Sequence, residues 1–208
     1  MASYSLKATY EKLQCELVDL NRIISKLSVE PESIERDTHI EGCFIRLVVN
    51  WECFIEEYFL RCMCNAKTRN KNGNEIRPNG TASRNINEAF KKINKNRRDR
   101  DKDFTDWLDA KVLQQRIDDN FRKNSRVQKA CISPDKMFTL LVIRNAIAHR
   151  SPSALKKFEN YVKDQMGYLV VLNPTMASLL VQKRRNSNDL IFTLLTDHFI
   201  SLADTLTK

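Results

Sequence analysis

Leu6, Tyr10, Leu13, Leu17, Leu20, Ile24 and Leu27 follow one another at intervals of 4-3-4-3-4-3. That alternation returns each side chain to one stripe of an α-helix, the a/d seam of helices packed lengthwise. A chain that opens this way has committed a long face to helical neighbours. The rest of the sequence agrees. Of its 208 residues 42% are hydrophobic, yet only four are Gly and five Pro, too few turn-formers for a many-stranded sheet protein. The expected fold is all-α, an up-and-down helical bundle, with residues 1–208 in one domain. No apolar run approaches the roughly 18 residues of a membrane span and no signal peptide opens the chain, so a cytoplasmic protein is expected.

Further helices are expected along the chain. "VEPES" breaks the first, and a second, rich in large apolar residues, runs from about Asp37 to Asn65. The polar stretch that follows reads as a loop, and "INEAFKKINKNRR" as a basic helix. A weaker helical stretch surrounds Trp107–Phe121. Ser133-Pro134-Asp135 supplies a cap, a first-turn proline and a first-turn acid for a helix reaching about Arg150. "ALKKFENYVKDQMG" is amphipathic, residues 168–188 fit a short strand or a turn of helix equally, and a last helix covers Asp189–Leu206.

The net charge of +9 is concentrated. Between Lys67 and Lys102 twelve Lys/Arg face four acids, a local charge of +8, so the other 172 residues are nearly neutral. This stretch reads as a basic insertion after the second helix. Lys91, Lys92, Lys95, Arg97 and Arg98 are its candidate phosphate contacts, with Arg150 outside it; a solvated charge run is the equal alternative. Five of the six cysteines fall in expected helices among apolar residues, where they read as reduced core thiols. "CMC" at 62–64 lacks a second ligand pair at zinc-finger spacing, so no metal and no cofactor is expected.

Helical phases single out a few polar side chains. On the second helix Arg46, Asn50, Glu57 and Arg61 lie within about 60° of one another, an ordinary solvent stripe. Glu52 lies about 150° away from it, among apolar residues, and Glu56 about 110°. On the helix that carries "VIRNAIAHR" (residues 142–150), Asp135, Lys136, Thr139 and Arg150 define the expected outer side. Arg144 and Asn145 each lie about 130° from that side and His149 about 90°. Two readings stand together here. Arg144 could pair with a buried Glu52 while His149 is a satisfied core histidine, or the three could form a reactive site. His39 and His198 have no companion constellation and read as structural.

Arg144-x-x-x-x-His149, with Asn145 after the arginine and a place near the end of a bundle helix, resembles the R-x(4–6)-H signature of HEPN domains. The heptad-like first helix and "NWECFIEEYF" at 50–59 are similar to HEPN proteins too. The resemblance spans most of the chain outside 67–102. It implies a metal-independent endoribonuclease that dimerises to bring two motifs to one cleft, of the prokaryotic toxin–antitoxin or anti-phage type. By position it makes Arg144, Asn145 and His149 catalytic and Glu52 a supporting acid. It implies an RNA substrate, a homodimer and a neutralising or defence-system partner. One departure is informative: HEPN toxins paired with a nucleotidyltransferase often carry Tyr two residues after the histidine, and this chain has Ser151.

The residue types suit that chemistry. RNA brings its own nucleophile, the 2′-OH, and needs a proton acceptor, a proton donor and positive charge at the phosphate. Histidine serves either proton role near neutrality, and arginine offers a fixed fork of donors to a phosphate gaining charge. A non-catalytic RNA-binding or scaffolding HEPN protein is the rival reading.

Overall fold

The computed structural model describes residues 4–70, 76–95, 107–122, 127, 134–165, 175–183 and 188–208. Its helices are α1 (Leu6–Leu27), α2 (Ile34–Met63), α3 (Ile86–Lys95), α4 (Ala110–Asn120), α5 (Pro134–His149), α6 (Pro152–Gln165), α7 (Met176–Leu180) and α8 (Ile191–Thr207). Among the described residues there is no strand, only the isolated bridges Ser5–Lys67, Pro78–Phe121 and Lys183–Leu190. No helix there is long and apolar enough to cross a membrane. The fold is all-α, as the opening heptads require.

All seven seam residues of α1 are buried, together with Thr9. They pack on α2 and α8. The α1–α2 turn is closed by two caps. Ser33 Oγ accepts from Arg36 N–H, which starts α2 three residues earlier than its apolar pattern suggests. The buried Arg36 side chain reaches back, Nε donating to the Leu27 carbonyl at 2.9 Å and satisfying an end carbonyl of α1.

α2 is the axis of the molecule, in contact with α1, α3, α5, α7 and α8. Phe44, Leu47, Trp51, Ile55 and Phe59 are fully or almost fully buried along it. Trp51 stands 4.5 Å, ring centre to ring centre, from Phe199 of α8 and stacks at 5.4 Å on Phe54. Its indole N–H donates to Met137 sulfur on α5 at 3.2 Å. α2 ends at a left-handed Asn65 (φ 58°), with Asn65 N–H on the Cys62 carbonyl and Ala66 N–H on that of Arg61. This is a Schellman closure with asparagine in the place glycine usually takes.

The stretch expected as an insertion is tied into the bundle where it is described. Arg69 lies 3.8 Å over the Tyr10 ring, forms an ion pair with Asp204 and donates to Thr207 Oγ1. Ile76, Ala89 and Ile93 are buried, and Ser83 N–H donates to the Met63 carbonyl. Part of the basic charge is therefore structural, because burying this stretch leaves its cations beside carboxylates and carbonyls. The stretch open to two readings at 168–188 contains α7, capped by Thr175 accepting from Ser178 N–H; residues 168–174 and 184–187 lie outside the described ones.

The cysteines depart from expectation. Cys62 is fully buried, and burial pushes its thiol pKa up. Cys43 and Cys64 are half-buried, but Cys15 and Cys53 are exposed, on solvent-facing phases of α1 and α2. Cys131 lies outside the described residues.

Removing the Trp51 side chain should empty the contact of α2 with both α5 and α8. Trp51→Ala is expected to cost roughly 3–5 kcal/mol in denaturant unfolding. Val29→Ala, at an exposed turn position, should leave the midpoint within experimental scatter.

Candidate active site on α5

α5 has an inner and an outer side, and the outer side is not the one its polar residues suggest. Thr139, taken as outward, is buried; its hydroxyl bonds the Asp135 carbonyl and Tyr161 Oη of α6, both at 2.8 Å. α6 covers that flank, with Phe138 and Tyr161 rings edge to face at 6.4 Å. The opposite expectation fails in the same way. Arg144 and Asn145 are half-exposed and His149 is exposed, not set in the core. Along with Phe138, 57% exposed, and Ala148, they make the open face of the helix. The core-histidine reading of His149 is thereby overturned: Leu140, Ile143 and Ala146 fill the interior instead.

Arg144 Nη1 donates to Asn145 Oδ1 at 3.4 Å, a long contact that leaves most of its guanidinium donors for something else. Asn145 and His149 are one helical turn apart on this face. His149 is the last residue of the helix.

The turn after it is unusual. Arg150 adopts the left-handed conformation at φ 45°, which costs a non-glycine residue roughly 1 kcal/mol or more. Its N–H still reaches the Ala146 carbonyl at 3.2 Å. Ser151 then caps α6, its Oγ accepting from Ala154 N–H, with Pro152 at the first helical position. Ser151, two residues after the histidine, thus serves as a cap. Arg150, expected at phosphate, donates Nη2 to Glu41 Oε2 at 2.6 Å. The two side chains border a groove of about 470 Å³ with Asp37, Phe158 and Glu159.

Glu52, the expected supporting acid, is half-buried but elsewhere. It lines a groove of about 550 Å³ between α2, α3 and Trp107, with Glu56 accepting the Trp107 indole N–H at 2.8 Å. Two contacts explain why. Trp51–Met137 and Glu41–Arg150 fix α2 and α5 antiparallel, so Glu52 stands level with the beginning of α5 and Glu41 with its end. Glu41 and Glu52 share one face of α2 three turns apart, about 16 Å along the axis. Sequence phase selects both equally; only the helix register separates them, so Glu41 was missed.

Of the basic candidates, Lys91 is exposed on α3, while Lys92 donates to the Thr81 carbonyl at 3.0 Å and pairs with Glu88. The side chain of Lys95 and all of Arg97 and Arg98 lie outside the described residues. His39 is exposed on the first turns of α2. His198 is half-buried, its Nε2 has no partner among the described residues, and burial, then nearby Lys136, lowers its pKa. Among the described residues no three His, Cys, Asp or Glu side chains are grouped to hold a metal ion. The chain matches no family model, no curated protein and no solved structure.

Because His149 is exposed, its removal should be nearly silent for folding. His149→Ala is expected to shift unfolding free energy by no more than about 0.5 kcal/mol in denaturant titration. A loss above about 2 kcal/mol would return the histidine to a structural role.

Proposed function

We propose that this chain is a metal-independent endoribonuclease of the HEPN type, acting as a toxin or anti-phage effector. The observation that carries the reading is the joint exposure of Arg144, Asn145 and His149 on the C-terminal half of α5. Polar residues facing water are ordinary on a helix, but here an arginine, an asparagine and a histidine share one open face with the exposed Phe138 and Ala148, a mixed surface that a solvated stripe does not need. A site for a polyanion does.

In this reading His149 takes the proton from the ribose 2′-OH as the oxygen attacks phosphorus. The P–O5′ bond breaks, and a second imidazolium supplies the proton to the departing 5′-oxygen. Arg144 neutralises charge gathering on the non-bridging oxygens, and Asn145 holds that guanidinium through their mutual contact. The products are a 2′,3′-cyclic phosphate and a 5′-hydroxyl. One chain has one such histidine, so the second comes from a partner copy. Phe138 and Ala148, exposed on the same face, give a dimer its apolar contact. Lys91, exposed on α3, is a further candidate phosphate contact.

Purified protein should cut single-stranded RNA in excess EDTA and leave cyclic phosphate ends, detectable by end-labelling. His149→Ala and Arg144→Ala should each lower the rate at least a hundredfold while sedimenting as folded dimers. RNA that is bound but left uncut by the unaltered protein would make the chain a binding module. Cleavage that survives both substitutions would remove the site from α5.

A further inference from the structure

From the corner between α5 and α6 we infer that Arg150 is a second phosphate-binding cation of the site and that Glu41 is the residue that positions it. The inference rests on the ribonuclease reading of α5. Arg150 directly follows His149, and its left-handed backbone turns its side chain away from the helix path toward the N-terminal end of α2. There the Glu41 carboxylate takes Nη2 at 2.6 Å. The partners are unequal: the Glu41 side chain is 11% exposed and the Arg150 side chain 65%. A carboxylate that far from water is costly to leave without a cation, so Glu41 holds the arginine firmly. The arginine itself remains mostly in solvent. A guanidinium has five N–H donors in a rigid fork, and one anchored nitrogen leaves the others fixed in direction. An anchored, solvent-facing fork on the residue that directly follows the histidine is preorganised for a phosphate oxygen.

The backbone strengthens this assignment. Glycine fits a φ of 45° without strain, so an arginine held there at a backbone cost is there for what its side chain does, its pair with Glu41 included.

Two variants of the full-length protein test the pair, because glycine suits the corner and glutamine matches glutamate in shape. Arg150→Gly relieves the backbone strain but leaves Glu41 without its cation, so it should fold with reduced stability, lower cleavage of a short single-stranded RNA at least tenfold, and flatten the plot of log affinity against log salt by about 0.7, one phosphate contact. Glu41→Gln should leave RNA binding undiminished and the salt slope unchanged while kcat falls about tenfold. A stable, dimeric Glu41→Gln protein with wild-type kcat, or an Arg150→Gly protein with the wild-type salt slope, overturns the inference while the ribonuclease reading stands. If either variant fails to fold, Arg150→Lys decides. It keeps a charge but not the fork, and full activity from it overturns the inference. A wild-type protein that cuts no RNA overturns both.

Discussion

α2 is 30 residues long and buries apolar side chains against helices on most of its circumference. Everything else takes its position from that rod. Close-packed aromatic contacts do not slide in small steps, so the depth at which Trp51 meets Met137 and Phe199 sets the height of α5 and α8 along the axis. The ion pair of Glu41 with Arg150 then fixes the far end of α5. Two contacts of different character, one apolar and buried, one charged and half-wet, thus determine where the motif residues stand. The apolar contact supplies stability and the charged one supplies direction.

Burial on this scale also explains why the basic stretch after α2 is partly consumed by structure. A segment that threads between the end of α2 and the end of α8 must satisfy its backbone groups, and Arg69 N–H donates to the Thr207 carbonyl at 2.7 Å while its side chain stacks on Tyr10 and binds Asp204 and Thr207. Net charge counted over a sequence window therefore overstates what is offered to a polyanion. Lys91 is open to solvent and Lys92 is not wholly so, though they are adjacent in sequence.

Much of the fold was legible because it rests on periodicity. The seam of α1, the extent of α2 and the start of α5 follow from apolar spacing and from proline and capping residues. The orientation of α5 was not legible. Its residues are apolar on nearly every side, so the few polar ones do not mark the outer face: Thr139 turned inward to Tyr161, and His149 outward. The place of Glu52, in a groove beside α3 and Trp107, was not legible for a related reason. Helical phase is periodic, and Glu41 and Glu52 share it; relative height between two helices is a tertiary quantity that no single helix encodes. The arginine–asparagine–histidine spacing was legible as a pattern, while the left-handed turn that follows it left no mark in the residue types.

The two tryptophans have a practical consequence. Both are buried, Trp51 where α2 meets α5 and α8, Trp107 beside Phe59 with its indole N–H on Glu56. They sit on different flanks of the same central helix, one surrounded by rings and sulfur, the other beside a carboxylate. Their emission will therefore differ in colour and quenching. Single-tryptophan forms would give separate optical signals from the two flanks, so a loosening on one side of α2 could be watched while the other side stays closed.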